Sequence, residues 1–468
     1  MNLAPFEILG HALVSRRDLP IPEWLFAWGA SLVLIVSFVA LTLLWHQPRF
    51  EGDRWRPLPG WLSRALVSRV TEVLAGIAGV FLLGVVIYSG LQGTEAPDRN
   101  FSVTFVFYTV WIGVPILSVL LGDFFRAFNP WRAVARAIGG LFKLVAGQSA
   151  PPPLRYPERL GRWPAVIGII GFGWLELVYA ASGFQVVPGL TPHTVGVAAL
   201  IYSAYTFVAM TLFGSEKWLD RGEQFSVYFG MFASLGPLEV RDRVLGWRGW
   251  LSGTTRWVTV AGSVGLILAA IGITAFDGAA EGVLASPIQT VNTWATDAGM
   301  GPVGALRLSY TVFLGLSIAF VFGLFWAGVY GMHTVRAGER TRRLGELFGH
   351  AFIPIALAYV IAHYVGALLD IEQAQFGYLL SDPLGDGSDL FGTAGSGINY
   401  APLGAEGIWY VQVAALVTGH VVALVLGHDR ALKIYGDSRL AARSQYPMLA
   451  LMVFFTGLGL YLLSQANQ

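Results

Sequence analysis

Apolar and polar positions alternate in long blocks along this chain. Runs of about 20 apolar residues, each long enough to cross a hydrocarbon core about 30 Å thick, are separated by polar stretches rich in arginine. The pattern predicts spans over 24–45, 71–92, 102–122, 164–183, 194–213, 257–275, 305–330, 347–369, 406–427 and 447–465. With the N-terminus outside, the inner loops hold all 30 lysines and arginines except Arg16, Arg17, Arg99 and Arg307, as the positive-inside rule requires. The expected fold is therefore all-α: a polytopic transmembrane helical bundle of ten spans in one integral membrane domain, both termini outside. A five-span unit repeated once must invert. The longest loops, after spans three and eight, are compatible with a 5+5 inverted repeat, although the halves share no sequence pattern.

Two inner-loop stretches are apolar without being spans. "NPWRAVARAIGGLFKLVAG" opens with Asn129 as an N-cap and Pro130 at the first helical position. Its apolar stripe (Trp131, Val134, Ile138, Leu141, Val145) leaves Arg132, Arg136 and Lys143 elsewhere, which fits a helix lying on an anionic leaflet. "FSVYFGMFASLG" (225–236) is too short to span and is read as interfacial. Loops 123–163 and 214–256 are thus expected to be cytoplasmic and to carry interfacial helices, while 370–405 is extracytoplasmic and caps the bundle.

Composition agrees with a membrane protein: 55% of residues are hydrophobic and 13% charged, against roughly 25% charged in soluble domains. With no cysteine, disulfides, thiolate metal sites and cysteine nucleophiles are excluded. A net charge of +1 gives no reason to expect a nucleic-acid partner; the bilayer and a small solute are the partners the pattern points to. The first 22 residues lack the arrangement of a cleavable signal. Many of the 57 glycines lie inside spans, where small residues let helices approach closely.

Polar residues within spans are the candidate chemistry. At about 1.5 Å per residue, His363 lies about 20 Å from the inner edge of span eight and Glu176 at a similar depth in span four. His420 and Gln412 sit within span nine. Glu176 is the only carboxylate this reading places inside a span. His363 also shares a helix face with Asp370. His333, His350 and His428 fall at the cytoplasmic edge and read as anchors or solvated helix ends. Deep polar groups are costly unless paired, so Glu176, His363 and His420 are taken to line one polar site open to the outer side. Beyond span eight, "SDPLGDGSDLFGTAGSG" brings Asp382, Asp386 and Asp389 together among glycines, where oxygen ligands for a hard cation can converge.

Several of these stretches carry a resemblance. "DLPIP", "YPERLGRWPAVIGIIGFGWLELVY", "GHAFIPIALAYVIAHY", "SDPLGDGSDLFGT", "GHVVALVLGHDRAL" and "QYPMLALMVFFTGLGLYLL" are similar, nearly end to end, to bacterial, largely actinobacterial, multi-span membrane proteins, some labelled fenitrothion hydrolase. The resemblance implies a bacterial cytoplasmic membrane location and hydrolysis of lipophilic organophosphate triesters. A divalent metal held by His363, His420 and Glu176 would activate water for that reaction. No compact H-E-x-x-H or G-x-S-x-G motif is present. Two other readings stay open: a transporter using the same residues for proton or cargo coupling, and a redox protein with His363 and His420 as haem ligands.

Overall fold

The computed structural model describes residues 23–148, 152–181, 190–335, 340–399 and 403–465. The "DLPIP" stretch lies outside them, as does the side chain of Asp370. The described chain is an all-α bundle with one small sheet. Ten helices match the ten predicted spans: α1 (Glu23–Leu44), α2 (Arg69–Gln92), α3 (Phe101–Leu121), α4 (Trp163–Tyr179), α5 (Pro192–Phe213), α6 (Ser263–Ala280), α7 (Pro302–Val335), α8 (Ile353–Gly366), α9 (Ala405–Tyr435) and α10 (Tyr446–Gln465). Nine segments among the described residues are long and apolar enough to cross a membrane; α4 is the shorter, apolar exception. This is a polytopic membrane protein.

Helix α6 is the axis of the bundle. It packs against α4, α7, α8 and α10, and nearly every side chain from Leu266 to Ile273 is buried. Elsewhere in the bundle helices come close because small residues line the crossings. A Cβ added at Gly90 of α2 would stand 2.8 Å from the Cα of Gly196 in α5, and one at Gly419 of α9 would stand 2.4 Å from the Cβ of Ala358 in α8. Such contact is what holds membrane helices together where lipid competes for apolar surface.

Three helices change to π geometry: α3 over Thr104–Gly113, α4 over Leu175–Tyr179, and the chain after α8 over Ala367–Ile371. In α3 the cause is legible. Pro115 has no N–H to donate, and its ring clashes with the carbonyl four residues earlier, so the preceding turns widen.

Two apolar stretches outside the spans fold as helices. Pro130–Ala146 begins as expected, with the Asn129 side chain accepting from the Arg132 N–H at 2.8 Å. Its second half exposes Ile138, Leu141, Leu144 and Val145. Gln224–Ala233 corrects its interfacial reading. Tyr228, Phe229, Met231 and Phe232 are at most 1% exposed, wedged against α3 and α4. Apolarity on all sides of so short a helix marked burial in protein, not contact with lipid. The basic end also carries a three-stranded antiparallel sheet, β1 (Arg56–Pro57), β2 (Leu238–Arg241) and β3 (Val244–Trp247), in the order β1-β3-β2. The span pattern gave no sign of it.

Candidate functional site

The site forms where the π segments of α3 and α4 meet α6 and α8. Asp277 of α6 is its hub. One oxygen, Oδ2, lies 2.7 Å from His363 Nε2 and accepts the Tyr364 hydroxyl at 2.9 Å. The Trp111 indole lies close to the Tyr364 hydroxyl in turn. Trp111 is itself held by a stacked Tyr228, at 4.8 Å between ring centroids, and by Phe172 at 4.7 Å. Glu176 stands close enough to interact electrostatically with Asp277, Tyr228 and Tyr364. Its Oε2 is buried with no hydrogen-bond partner among the described residues. With Nε2 committed to Asp277, His363 keeps Nδ1 for other use, and the ring borders a small cavity. That cavity has room for about one or two water molecules and is lined also by Thr274, Gly278, Tyr359 and Leu416.

Asp277 overturns the reading of Glu176 as the only carboxylate within a span. The apolar pattern predicts a span ending at residue 275, but α6 continues helical to Ala280 and carries the aspartate into the bundle. Its signal was available: a single acid two residues past an otherwise unbroken apolar run, within reach of a helix end.

Not all the expected partners meet. Glu176 and His363 gather around Asp277, but His420 goes elsewhere. It is fully buried in α9, with Nδ1 on the Leu416 carbonyl at 2.8 Å, its Nε2 without a partner, and the Tyr359 ring at 6.4 Å. Among the described residues no group of three or more His, Asp or Glu is placed to hold a metal ion. The divalent-metal set of His363, His420 and Glu176 is therefore not assembled. The Asp382–Asp389 loop uses its carboxylates on itself. Asp382 accepts from the backbone N–H of Asp386 (3.0 Å) and Gly387 (2.9 Å), Asp386 from Ser388, and Asp389 from Ala394. Hydrogen bonds from the Ser388 side chain and backbone hold Asp386, and those from the Ser381 side chain and the Ala394 N–H hold Asp389, below the usual carboxylate range, both in the open.

Two of the three histidines assigned to the cytoplasmic edge are corrected too. His350 is 0% and His428 1% exposed, so neither is a solvated anchor. His350 Nδ1 sits 3.0 Å from the Leu347 carbonyl, and His428 Nε2 3.1 Å from that of Trp45. The adjacent Asp429 and Arg430 bind the segment after α1: Asp429 accepts from the Trp45 indole (3.0 Å) and the Phe50 N–H (3.0 Å), and Arg430 pairs with Glu51 at 2.6 Å. Burial pushes the Glu51 carboxyl up despite that pairing. This cluster is a clasp between chain segments. Of the other polar residues singled out, Gln412 is buried in α9.

No family profile, curated protein or solved structure matches this chain.

Proposed function

We propose that this protein is a membrane transporter in which Glu176, Asp277, His363 and Tyr364 bind and pass the proton that couples transport. The observation that carries the reading is Asp277 Oδ2, shared by His363 and Tyr364, beside a second carboxylate that has an unpartnered oxygen. Two carboxylates within electrostatic reach in an apolar interior cannot both be ionised cheaply, which suits the pair to sharing a proton. Tyr364 and His363 offer that proton two routes away from Asp277, and the imidazole borders the cavity. The π turns support a working site, because they place side chains off the regular helical register. Triester hydrolysis, which the resemblance implies, lacks this support, since its metal-binding set is dispersed. For the haem reading, the cavity beside His363 is far too small.

The test is a pH jump on proteoliposomes adsorbed to a solid-supported membrane, with pooled solutes supplied in turn. Wild type should give transient currents that depend on pH and on one solute class. Asp277→Asn should abolish them, and Glu176→Gln should remove their pH dependence. Equal currents in wild type and Asp277→Asn, or none with any pool, would refute the proposal.

A further inference from the structure

Arg307 is the one basic residue that the orientation of the chain leaves within a span, at the end opposite the arginine-rich loops. It lies five residues into α7, about 7–8 Å from the helix start at Pro302. Its guanidinium lies over the Tyr179 ring, 4.1 Å from the centroid, and one terminal nitrogen makes a long bond of 3.4 Å to the Tyr179 carbonyl. Nε is buried and makes no hydrogen bond, and no carboxylate pairs with Arg307 among the described residues. Neighbouring contacts hold the geometry. Thr311 bonds back to the Arg307 carbonyl at 2.6 Å and receives the Trp174 indole at 2.9 Å, which pins α7 to the π-helical end of α4.

A guanidinium carries five N–H donors in a planar fork. Stacking on Tyr179 occupies its face and leaves the edge with donors unspent. A part-buried cation with no carboxylate partner among the described residues and an unpartnered Nε favours a counterion, and the group that best meets a planar fork is an oxyanion taking two parallel hydrogen bonds. The geometry points to a binding site for a phosphate or carboxylate group at Arg307, formed with Tyr179 and Trp174. The oxyanion belongs either to a dissolved solute or to a lipid headgroup. The site stands independently of the proton reading, for it requires neither Asp277 nor Glu176.

The protein in nanodiscs of phosphatidylcholine alone, titrated with inorganic phosphate and then acetate, tests the solute source. Native mass spectrometry after reconstitution with phosphatidylglycerol tests the lipid source. If the ion comes from solution, wild type binds it saturably, and Arg307→Gln weakens binding by about tenfold or more. If it comes from lipid, wild type retains phosphatidylglycerol and Arg307→Gln releases it. Arg307→Lys keeps the charge but loses the fork, and should fall between; it also serves if the glutamine variant folds poorly. Equal phosphate affinity and equal lipid retention in wild type and variants would overturn the site, whatever the currents at Asp277 show.

Discussion

Two glutamates in this bundle lie against each other's logic. Glu223 is 0% exposed, yet it accepts from the Tyr202 hydroxyl (2.5 Å), the Asn129 amide (3.3 Å) and the backbone N–H groups of Phe225 (2.9 Å) and Ser226 (2.8 Å). Those bonds satisfy both oxygens at the N-terminus of the buried helix Gln224–Ala233, where the helix dipole also favours negative charge. Glu176 is half-buried, but its buried Oε2 has no hydrogen-bond partner among the described residues and its electrical neighbour is another carboxylate. The first is a structural part, completely used. The second pays for a position it does not need for folding. Burial alone does not mark a working group; what sets Glu176 apart is an unsatisfied oxygen within electrostatic reach of a second carboxylate.

The contrast is testable from its heavier side. Glu223→Ala strands four donors in the interior and should cost about 3 kcal/mol or more. Thermal unfolding of purified protein in detergent will show it as a large fall in midpoint; a midpoint near wild type would mean the bonds around Glu223 are not holding the helix. Next come the buried histidines. His350→Leu and His428→Leu each strip a carbonyl of its partner and should cost about 1–2 kcal/mol while sparing pH-driven currents. Loss of current at normal stability in either would move the working site to the basic end. Glu176→Gln should change stability by about 0.5 kcal/mol or less, since no hydrogen bond to its Oε2 is broken. If it unfolds as readily as Glu223→Ala, the distinction between the two glutamates collapses.

The smallest effect belongs to an exposed carboxylate. Asp53 is held below the ordinary aspartate range by its hydrogen bonds to Arg241, at 2.7 and 2.9 Å. Because the folded-state value is depressed, the pairing contributes stability above the unfolded value of about 4. That contribution is lost as pH falls further, through the folded value. Unfolding midpoints below about pH 4 should therefore decline slightly more steeply for wild type than for Asp53→Asn, and identical slopes would show that the pair does nothing for the sheet.

Much of the site was nevertheless visible along the chain. Glu176 and His363 stood out because ionisable side chains are rare in apolar runs, and depth along each helix put them at one level. Asp277 was missed because a hydropathy boundary is not a helix boundary: the backbone stays helical as long as its hydrogen bonds are made, whatever the side chain's polarity. Tyr364 and Trp111 gave no signal at all, since aromatic residues are ordinary in a span and matter here only for what their polar atoms touch.

What the sequence determined by itself was the class of structure. A run of apolar residues long enough for the bilayer leaves the backbone no choice but a helix, because lipid offers its N–H and C=O groups no partner. Ten runs gave ten helices, and Asn129 and Pro130 gave a helix start, all from local chemistry. Convergence was another matter. Periodicity gives depth and a face on one helix, but not which helices are neighbours or how each is rotated. Helix α6 packed beside α4 and α8, and glycine crossings let the bundle close. Three departures from regular α geometry lie beside the site. Only that arrangement decided that His363 would meet Asp277 and not His420. Only it made Gln224–Ala233 a buried wedge, and it left Arg307 with an aromatic face and no carboxylate partner among the described residues.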